Sequence, residues 1–134
     1  MTTPSPLIAS SYVALGGAIG SLLRYQTGRG MTRWLGAEVV TTFPWATLTV
    51  NVVGSLAMGL LAGWLARYGQ GGEQWRLFLG VGVLGGFTTF SAFSLEMMVL
   101  IERQPAQGFV YAAVSVLAGL SALYIGLIAM RLAG

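Results

Sequence analysis

The positions of charged residues divide the chain into four long apolar segments joined by short polar ones. Asp, Glu, Lys and Arg are absent from residues 1–23, 39–66, 77–95 and 104–130. About 20 consecutive apolar residues cross the hydrocarbon core of a bilayer as a helix, so each segment is long enough to span it. The pattern predicts an all-α integral membrane protein with one domain over residues 1–134 and four transmembrane helices, at about 7–24, 45–66, 77–101 and 108–132.

The first apolar segment also has the length of a signal peptide. No charged region precedes it, and Arg24-Tyr25 follows it instead of a soluble domain, so we interpret it as a span. Glycines recur at four-residue spacing within the spans, as at Gly16/Gly20, Gly59/Gly63 and Gly82/Gly86. Such pairs let helix backbones approach closely inside membranes and predict tight helix packing.

Composition narrows the function classes. Hydrophobic residues make up 55% of the chain and charged residues 8%, whereas a soluble domain is roughly 25% charged. The chain contains no Cys, His, Asp or Lys. Disulfides, thiolate metal sites and histidine bases are therefore excluded, and we predict that the protein is not an enzyme. The net charge of +3 comes from arginines near the segment ends, which is typical of membrane anchors and not of nucleic-acid binding.

The arginines are almost evenly divided between the two sides of the membrane. With four spans, both termini face one compartment, and the arginine count is four on one side against three on the other. Orientation normally follows the Lys/Arg bias of short loops, so this small bias predicts insertion in both orientations, which would permit an antiparallel homodimer. The alternative is a single orientation imposed by one dominant loop. The two sets are Arg24, Arg29, Arg33 and Arg103, and Arg67, Arg76 and Arg131.

The middle of the third span, residues 85–94, is poor in helix-forming residues. It begins with adjacent glycines and contains adjacent β-branched residues, Thr88 and Thr89. A helix break at this depth must be buried in protein or line an aqueous cavity. Such a break frees backbone carbonyls for a cation and amides for an anion. The alternative is a continuous helix whose glycine face packs against a neighbour.

Polar and aromatic side chains on three spans form a candidate anion pathway. Phe90 and Phe93 share a helical face, and their ring edges carry partial positive charge, although aromatic pairs more often contact lipid or core. Asn51 is the only asparagine and serves either as an interhelical hydrogen-bond partner or as a pore donor. Neutral donors can replace an anion's hydration without trapping the ion. The hydroxyl donors are Thr89, Ser91, Tyr111 and Ser115.

Three motifs resemble the small fluoride channels of the Fluc/CrcB family. They are Gly16-Gly17 with Gly20 and Arg24-Tyr25, then Ala46-Thr47-Leu48 leading to Asn51-Val52-Val53-Gly54, and then the block from Gly85 to Glu96. The resemblance covers all four spans in order. It implies a passive channel that exports fluoride from the cytoplasm across the bacterial inner membrane. It also implies an antiparallel, dual-topology homodimer with two parallel pores in the lipid bilayer.

The resemblance also implies specific site residues. A structural sodium ion at the dimer centre would be held by the backbone carbonyls of Gly85 and Thr88. Ala92 departs from the family pattern, in which threonine is common at this position. The matching pathway residues are Arg24 at the vestibule, Asn51, Phe90 and Phe93 in the pore, and Glu96 at the far end.

Two other functions fit four apolar spans. A small dual-topology multidrug exporter is also a four-span dimer, but it needs a membrane-embedded carboxylate in its first span to couple protons to substrate. Residues 1–23 contain no acid, which argues against an exporter. A non-conducting assembly subunit would use the glycine faces for packing alone and would leave the polar residues of the spans without a common role.

Overall fold

The computed structural model describes residues 4–69 and 72–133, and this part of the chain is helical. Within these described ranges, four helices are long and apolar enough to cross a membrane, which confirms the predicted all-helical fold with four membrane-length helices. They correspond to α1, to α3, to the series from Gly72 to Arg103, and to α7. The elements are α1 Pro6–Leu35, α2 Ala37–Thr42, α3 Trp45–Tyr68, α4 Gly72–Trp75, a π-helical segment Arg76–Leu84, α5 Gly85–Phe87, α6 Phe90–Arg103 and α7 Pro105–Leu132.

Helix α1 extends well beyond the first uncharged segment. The hydroxyl oxygen of Ser5 accepts a hydrogen bond from the Ile8 amide at 3.5 Å, and Pro6 occupies the first turn, where its missing N–H is harmless. The helix ends at Gly36, whose φ of 88° is readily adopted only by glycine. At 1.5 Å per residue, its 30 residues span roughly 45 Å, which exceeds the ~30 Å hydrocarbon core.

The backbone of the third apolar segment changes conformation twice. Its first part is π-helical, and the Gly85 amide donates to the carbonyl of Gly80. Thr88 (φ −82°, ψ 161°) and Thr89 (φ −153°, ψ 125°) are extended and lie between α5 and α6. Thr89 is the N-cap of α6, because its hydroxyl oxygen accepts the Ala92 amide at 3.3 Å.

Glycines set the closest helix contacts. A Cβ atom at Gly20 of α1 would overlap the Val83 carbonyl, and one at Gly16 would overlap the Phe78 carbonyl. In the pair of α3 and α7, a Cβ at Gly59 of α3 would overlap the Leu123 carbonyl of α7. Two helix pairs, α1 with the π-helical segment and α3 with α7, therefore pack backbone against backbone.

The buried part of the single chain is small and partly polar. Among the described residues, the buried hydrophobic side chains are Val50, Leu100, Tyr111 and Ala122, and the buried polar ones are Thr47 and Thr89. Most long apolar side chains on the outer helix faces are exposed, as expected for surfaces that contact lipid or a second copy. The polar groups are concentrated where α3, α6 and α7 meet.

Candidate functional site

The carboxamide of Asn51 pairs with the backbone of Thr89. The Nδ2 group donates to the Thr89 carbonyl at 3.0 Å, and the Thr89 amide donates to Oδ1 at 2.8 Å. Asn51 lies on the continuous helix α3, so this pair joins α3 to the extended backbone ahead of α6. Of the two roles expected for Asn51, the interhelical hydrogen bond is present, and one of the two Nδ2 hydrogens is left for another acceptor.

The hydroxyl of Thr88 is used locally. Its Oγ1 donates to the Leu84 carbonyl at 2.8 Å, and its amide donates to the same carbonyl at 3.0 Å. Gly54 on α3 leaves room for this residue, because a Cβ at that position would overlap the Thr88 methyl group. The Thr88 side chain therefore packs within the chain, while its carbonyl does not take part in these bonds.

The carbonyl oxygens of Gly85 and Thr88 suit a hard cation. Within residues 4–69 and 72–133, neither oxygen accepts a hydrogen bond from a backbone amide or a side chain. Over the same ranges no group of three His, Cys, Asp or Glu residues could hold a metal ion. Uncharged carbonyl oxygens are good ligands for hard cations, so this donor set fits the sodium ion that the family resemblance implies.

A cavity of about 330 Å³ lies between α3, α6 and α7. All of its lining side chains are uncharged. The Ser115 hydroxyl oxygen is buried and has no hydrogen-bond partner in the described part of the chain. The lining residues include six predicted site residues, Asn51, Thr88, Thr89, Phe90, Phe93 and Ser115, together with Gly54, Ser55, Met58, Val116 and Leu123.

Glu96 joins three helices through two hydroxyl groups. Thr47 of α3 donates to its Oε1 at 2.7 Å, and Tyr111 of α7 donates to its Oε2 at 2.9 Å. Both donors are buried. Thr47 was not singled out from the sequence as a site residue. The signal was its spacing, because Thr47, Asn51 and Ser55 recur every four residues and so lie along one face of α3.

Aromatic rings connect this carboxylate to the cavity. The Tyr111 ring lies 5.2 Å from the ring of Phe93, which in turn lies 5.8 Å from that of Phe90, measured between centroids. Phe43 contacts the other side of Tyr111 edge-on at 5.4 Å and was also missed from the sequence. Phe90 is 79% exposed, so its ring faces outward from the single chain.

Arg24 lies apart from the cavity of Phe93 and Ser115. It lines a second cavity of about 520 Å³ with Arg29 and Arg33, and Thr47 forms part of the same wall. The one ion pair in the described part of the chain joins Arg76 to Glu73. The second cavity is therefore electropositive, and Thr47 connects it to Glu96.

Ser91 lies at the start of α6 and is exposed. Its hydroxyl oxygen is 3.4 Å from that of Thr89, either of which can donate. Ser91 does not line the 330 Å³ cavity. The structure thus brings most of the predicted site residues to the region where α3, α6 and α7 meet, with Ser91 at its margin, whereas Arg24 lines the separate second cavity.

Comparison with known proteins identifies relatives along almost the whole chain. The family model described as CrcB-like protein, Camphor Resistance (CrcB), matches residues 11–127. A protein of Erythrobacter litoralis is 58% identical over 134 residues, which is 98% of each chain. One from Novosphingobium aromaticivorans is 56% identical, covering 93% of this chain and 98% of its own. One from Caulobacter vibrioides is 51% identical, covering 89% and 92%. All three are named fluoride-specific ion channel FluC.

Proposed function

The chain belongs to the CrcB family, and on this premise we propose that it is a fluoride-selective passive ion channel that lets fluoride leave the cytoplasm. The observation that carries the proposal is the 58% identity, over nearly the whole length, to a protein named as a fluoride-specific channel. Four membrane-length helices make it a multi-pass membrane protein, which in bacteria is a protein of the inner membrane. The protein is a channel and not an enzyme.

The 330 Å³ cavity supports a fluoride pathway through α3, α6 and α7. Fluoride is small and strongly hydrated, so a pore must offer close hydrogen-bond donors in place of water. The unpaired Ser115 hydroxyl and the edges of the Phe90 and Phe93 rings are such groups. Since no Lys or Arg lines this cavity, a fluoride ion is not trapped there, and conduction requires that an ion also leaves.

The second cavity, of about 520 Å³, fits the role of an entrance to this pathway. Arg24, Arg29 and Arg33 line it, and none of them forms an ion pair within the described residues. Unpaired positive charge near a pore entrance raises the local concentration of anions. Thr47 forms part of its wall and donates to Glu96, so Glu96 and Tyr111 lie between this entrance and the Phe93 ring.

The functional unit is proposed to be an antiparallel, dual-topology homodimer. The exposed Phe90 ring supports this, because a second copy would complete the pathway around a side chain that the single chain leaves uncovered. The nearly balanced arginine count supports insertion in both orientations.

A structural sodium ion is proposed at the centre of this dimer. The carbonyl oxygens of Gly85 and Thr88, which accept no hydrogen bond in the described ranges, support it, since two copies would supply four such oxygens. When bound, the ion supplies positive charge near the membrane centre, which favours an anion there. The residues of this chain hold the oxygens in place.

A flux assay tests the proposal directly. Purified protein is reconstituted into liposomes loaded with fluoride or chloride, and the released anion is followed with ion-selective electrodes. We expect fluoride to leave rapidly, chloride to be retained, and an imposed pH gradient to be unnecessary. Equal release of both anions would reject fluoride selectivity, and flux only under a proton gradient would indicate a coupled exporter.

A further inference from the structure

The hydrogen bonding of Thr89 differs from that of a continuous helix in one specific way. In an α-helix, the Thr89 amide would donate to the carbonyl four residues earlier, which is that of Gly85. In the structure, this amide donates instead to Oδ1 of Asn51 at 2.8 Å. The Gly85 carbonyl therefore lacks its helical partner, and it accepts no other donor within residues 4–69 and 72–133.

The second hydrogen bond of the pair fixes the other backbone group of Thr89. Asn51 Nδ2 donates to the Thr89 carbonyl at 3.0 Å, so both polar backbone atoms of this residue are satisfied by one side chain. Unpaired backbone groups at this depth are strongly unfavourable. The backbone can stay extended here because the carboxamide supplies both partners.

Asn51 is held on a continuous helix. It lies in the first third of α3, directly after Val50, which is 1% exposed. The next glycine, Gly54, admits the Thr88 side chain. Helix α3 therefore holds the two extended residues from one face, and α6 begins immediately after them with Phe90.

We infer that Asn51 is a positioning residue that keeps the third span open at Thr89 and thereby leaves the Gly85 carbonyl oxygen free to bind a cation. This inference rests on the proposed function and deepens it, because one side chain then links the cation ligands to the pathway. Asn51 acts through Thr89. Without it, the Thr89 amide returns to the Gly85 carbonyl, which removes that oxygen from the cation ligands and changes the direction in which α6 presents Phe90 and Phe93.

The test follows the Thr89 amide proton directly, by NMR of the full-length protein in nanodiscs. Labelling with 1-13C-threonine and 15N-threonine selects threonines that follow a threonine, which are Thr3, Thr42 and Thr89. In Asn51→Leu we expect the Thr89 amide signal to shift, because the amide then donates to the Gly85 carbonyl and no longer to Oδ1 of Asn51. Ser115→Ala is the matched control, because it removes a hydroxyl from the same cavity and should leave the Thr89 signal unchanged.

Asn51→Asp provides a second test if the leucine variant does not fold. The carboxylate keeps an acceptor for the Thr89 amide but cannot donate to the Thr89 carbonyl. Labelling with 1-13C-threonine and 15N-phenylalanine selects the carbonyls of Thr42 and Thr89. We expect the amide to stay protected while the Thr89 carbonyl signal moves. An unchanged carbonyl signal in Asn51→Asp, or an unchanged amide in Asn51→Leu, overturns the inference.

Sodium dependence tests the link to the cation. We expect added sodium chloride, compared with N-methylglucamine chloride, to raise the thermal unfolding midpoint of the wild-type protein and of Ser115→Ala but not of Asn51→Leu. A midpoint that rises equally in Asn51→Leu, or in none of the three proteins, contradicts the inference. These readouts do not use fluoride, so a failed flux assay rejects the proposed function without deciding the role of Asn51.

Discussion

Glu96 is a carboxyl group in an apolar span whose partners are hydroxyls and not a basic side chain. Each of its oxygens accepts one hydrogen bond, from Thr47 and from Tyr111. Polar groups at membrane depth are stable when they are hydrogen-bonded across helices, so the two hydrogen bonds of Glu96 stabilise the packing of α3, α6 and α7 against one another. It also holds the Tyr111 ring against Phe93.

Removing one donor should therefore destabilise the protein. We expect Thr47→Val and Tyr111→Phe each to lower the free energy of unfolding by about 1–3 kcal/mol, since each leaves one oxygen of the half-buried Glu96 without its partner. The measurement is reversible unfolding in detergent. Tyr124→Phe is the control, because this tyrosine is 61% exposed on α7, and we expect less than about 0.5 kcal/mol from it. A control effect as large as that of Tyr111→Phe would refute this role for the bond.

The phenylalanine pair should control fluoride flux. Phe90 and Phe93 line the uncharged cavity, and loss of either ring edge removes a favourable partner for the dehydrated anion. We expect Phe90→Ala and Phe93→Ala to lower fluoride release from liposomes by at least about tenfold, because about 1.4 kcal/mol of lost stabilisation corresponds to that factor. The proposed dimer should still purify intact. Phe109→Ala is the control, since Phe109 is 68% exposed on α7 and does not line the cavity. Undiminished flux in both cavity variants would remove these rings from the mechanism.

The sequence identifies individual site residues better than it identifies the hydrogen-bond partners of those residues. Asn51 was recognisable from the sequence as a site residue because a lone asparagine in an apolar span needs a hydrogen-bond partner. Its pairing with the Thr89 backbone could not be predicted from the sequence, because that bond depends on how α3 and α6 pack. The same limit explains why Thr47 was missed, since its role depends on Glu96, 49 positions away along the chain.

Among the secondary-structure elements, the glycines of α1 allow a direct test. Gly16 and Gly20 contact the backbone of the π-helical segment, whereas a Cβ atom at the neighbouring Gly17 would have nothing within 4 Å. We expect Gly20→Ala to reduce the free energy of unfolding by about 1–3 kcal/mol or more, because the methyl group would overlap the Val83 carbonyl.

Gly17→Ala is the matched control on the same helix. Alanine has a higher helix propensity than glycine, so this change should leave stability equal or slightly higher. Both variants are compared by thermal unfolding in the same detergent. Equal destabilisation by the two substitutions would show that the close approach of α1 to the third span does not limit its stability.

The presence and order of the four long apolar helices were predictable, but the length of α1 and several local features were not. Charge ends the first apolar segment at Arg24, yet α1 continues because residues 25–35 contain no proline, and it stops only at Gly36. The π-helical segment has the same apolar composition as an α-helix, so the hydrophobic pattern of the sequence does not reveal it. The glycines and threonines favoured a change of backbone conformation in residues 85–94, and the extended residues are Thr88 and Thr89.

For the molecule as a whole, Gly85 is exposed in the single chain and lies at the centre of the proposed dimer. Its φ of −62° is ordinary for a helix, and a Cβ there would approach only the Gly80 carbonyl, at 3.8 Å. By contrast, a Cβ at Gly86 would lie 2.6 Å from the Gly17 carbonyl. A larger side chain is therefore tolerated at Gly85 in the single chain, but it would occupy the proposed dimer centre.

We expect Gly85→Val to weaken the dimer while the chain still folds. Size-exclusion chromatography with light scattering should show a shift from dimer to monomer, and circular dichroism should show unchanged helicity. Thr88→Ser, which preserves the local hydroxyl bond to Leu84, should remain dimeric and conduct. A fully dimeric, conducting Gly85→Val would contradict the placement of Gly85 at the interface.

The arginine balance predicts that orientation is easily biased. The side of the membrane that carries the α6–α7 connection has four arginines, and the other side has three, one of which, Arg76, is paired with Glu73. Two lysines added to one side change the count of basic residues by more than this difference of one. Short loops rich in Lys and Arg stay in the cytoplasm, so the added charge should decide the orientation. Gln104→Lys with Gln107→Lys should therefore fix one orientation, whereas Gln74→Lys with an added lysine in the same loop should fix the opposite one.

Orientation can be read from a single thiol, because the chain has no cysteine of its own. A cysteine appended to the C-terminus can be labelled from either side with a membrane-impermeant thiol reagent. We expect labelling from both sides for the unaltered protein, and from opposite single sides for the two lysine variants. When each variant is expressed alone, fluoride flux should fall, because an antiparallel dimer needs both orientations, and co-expression of the two should restore it. One-sided labelling of the unaltered protein would exclude dual topology.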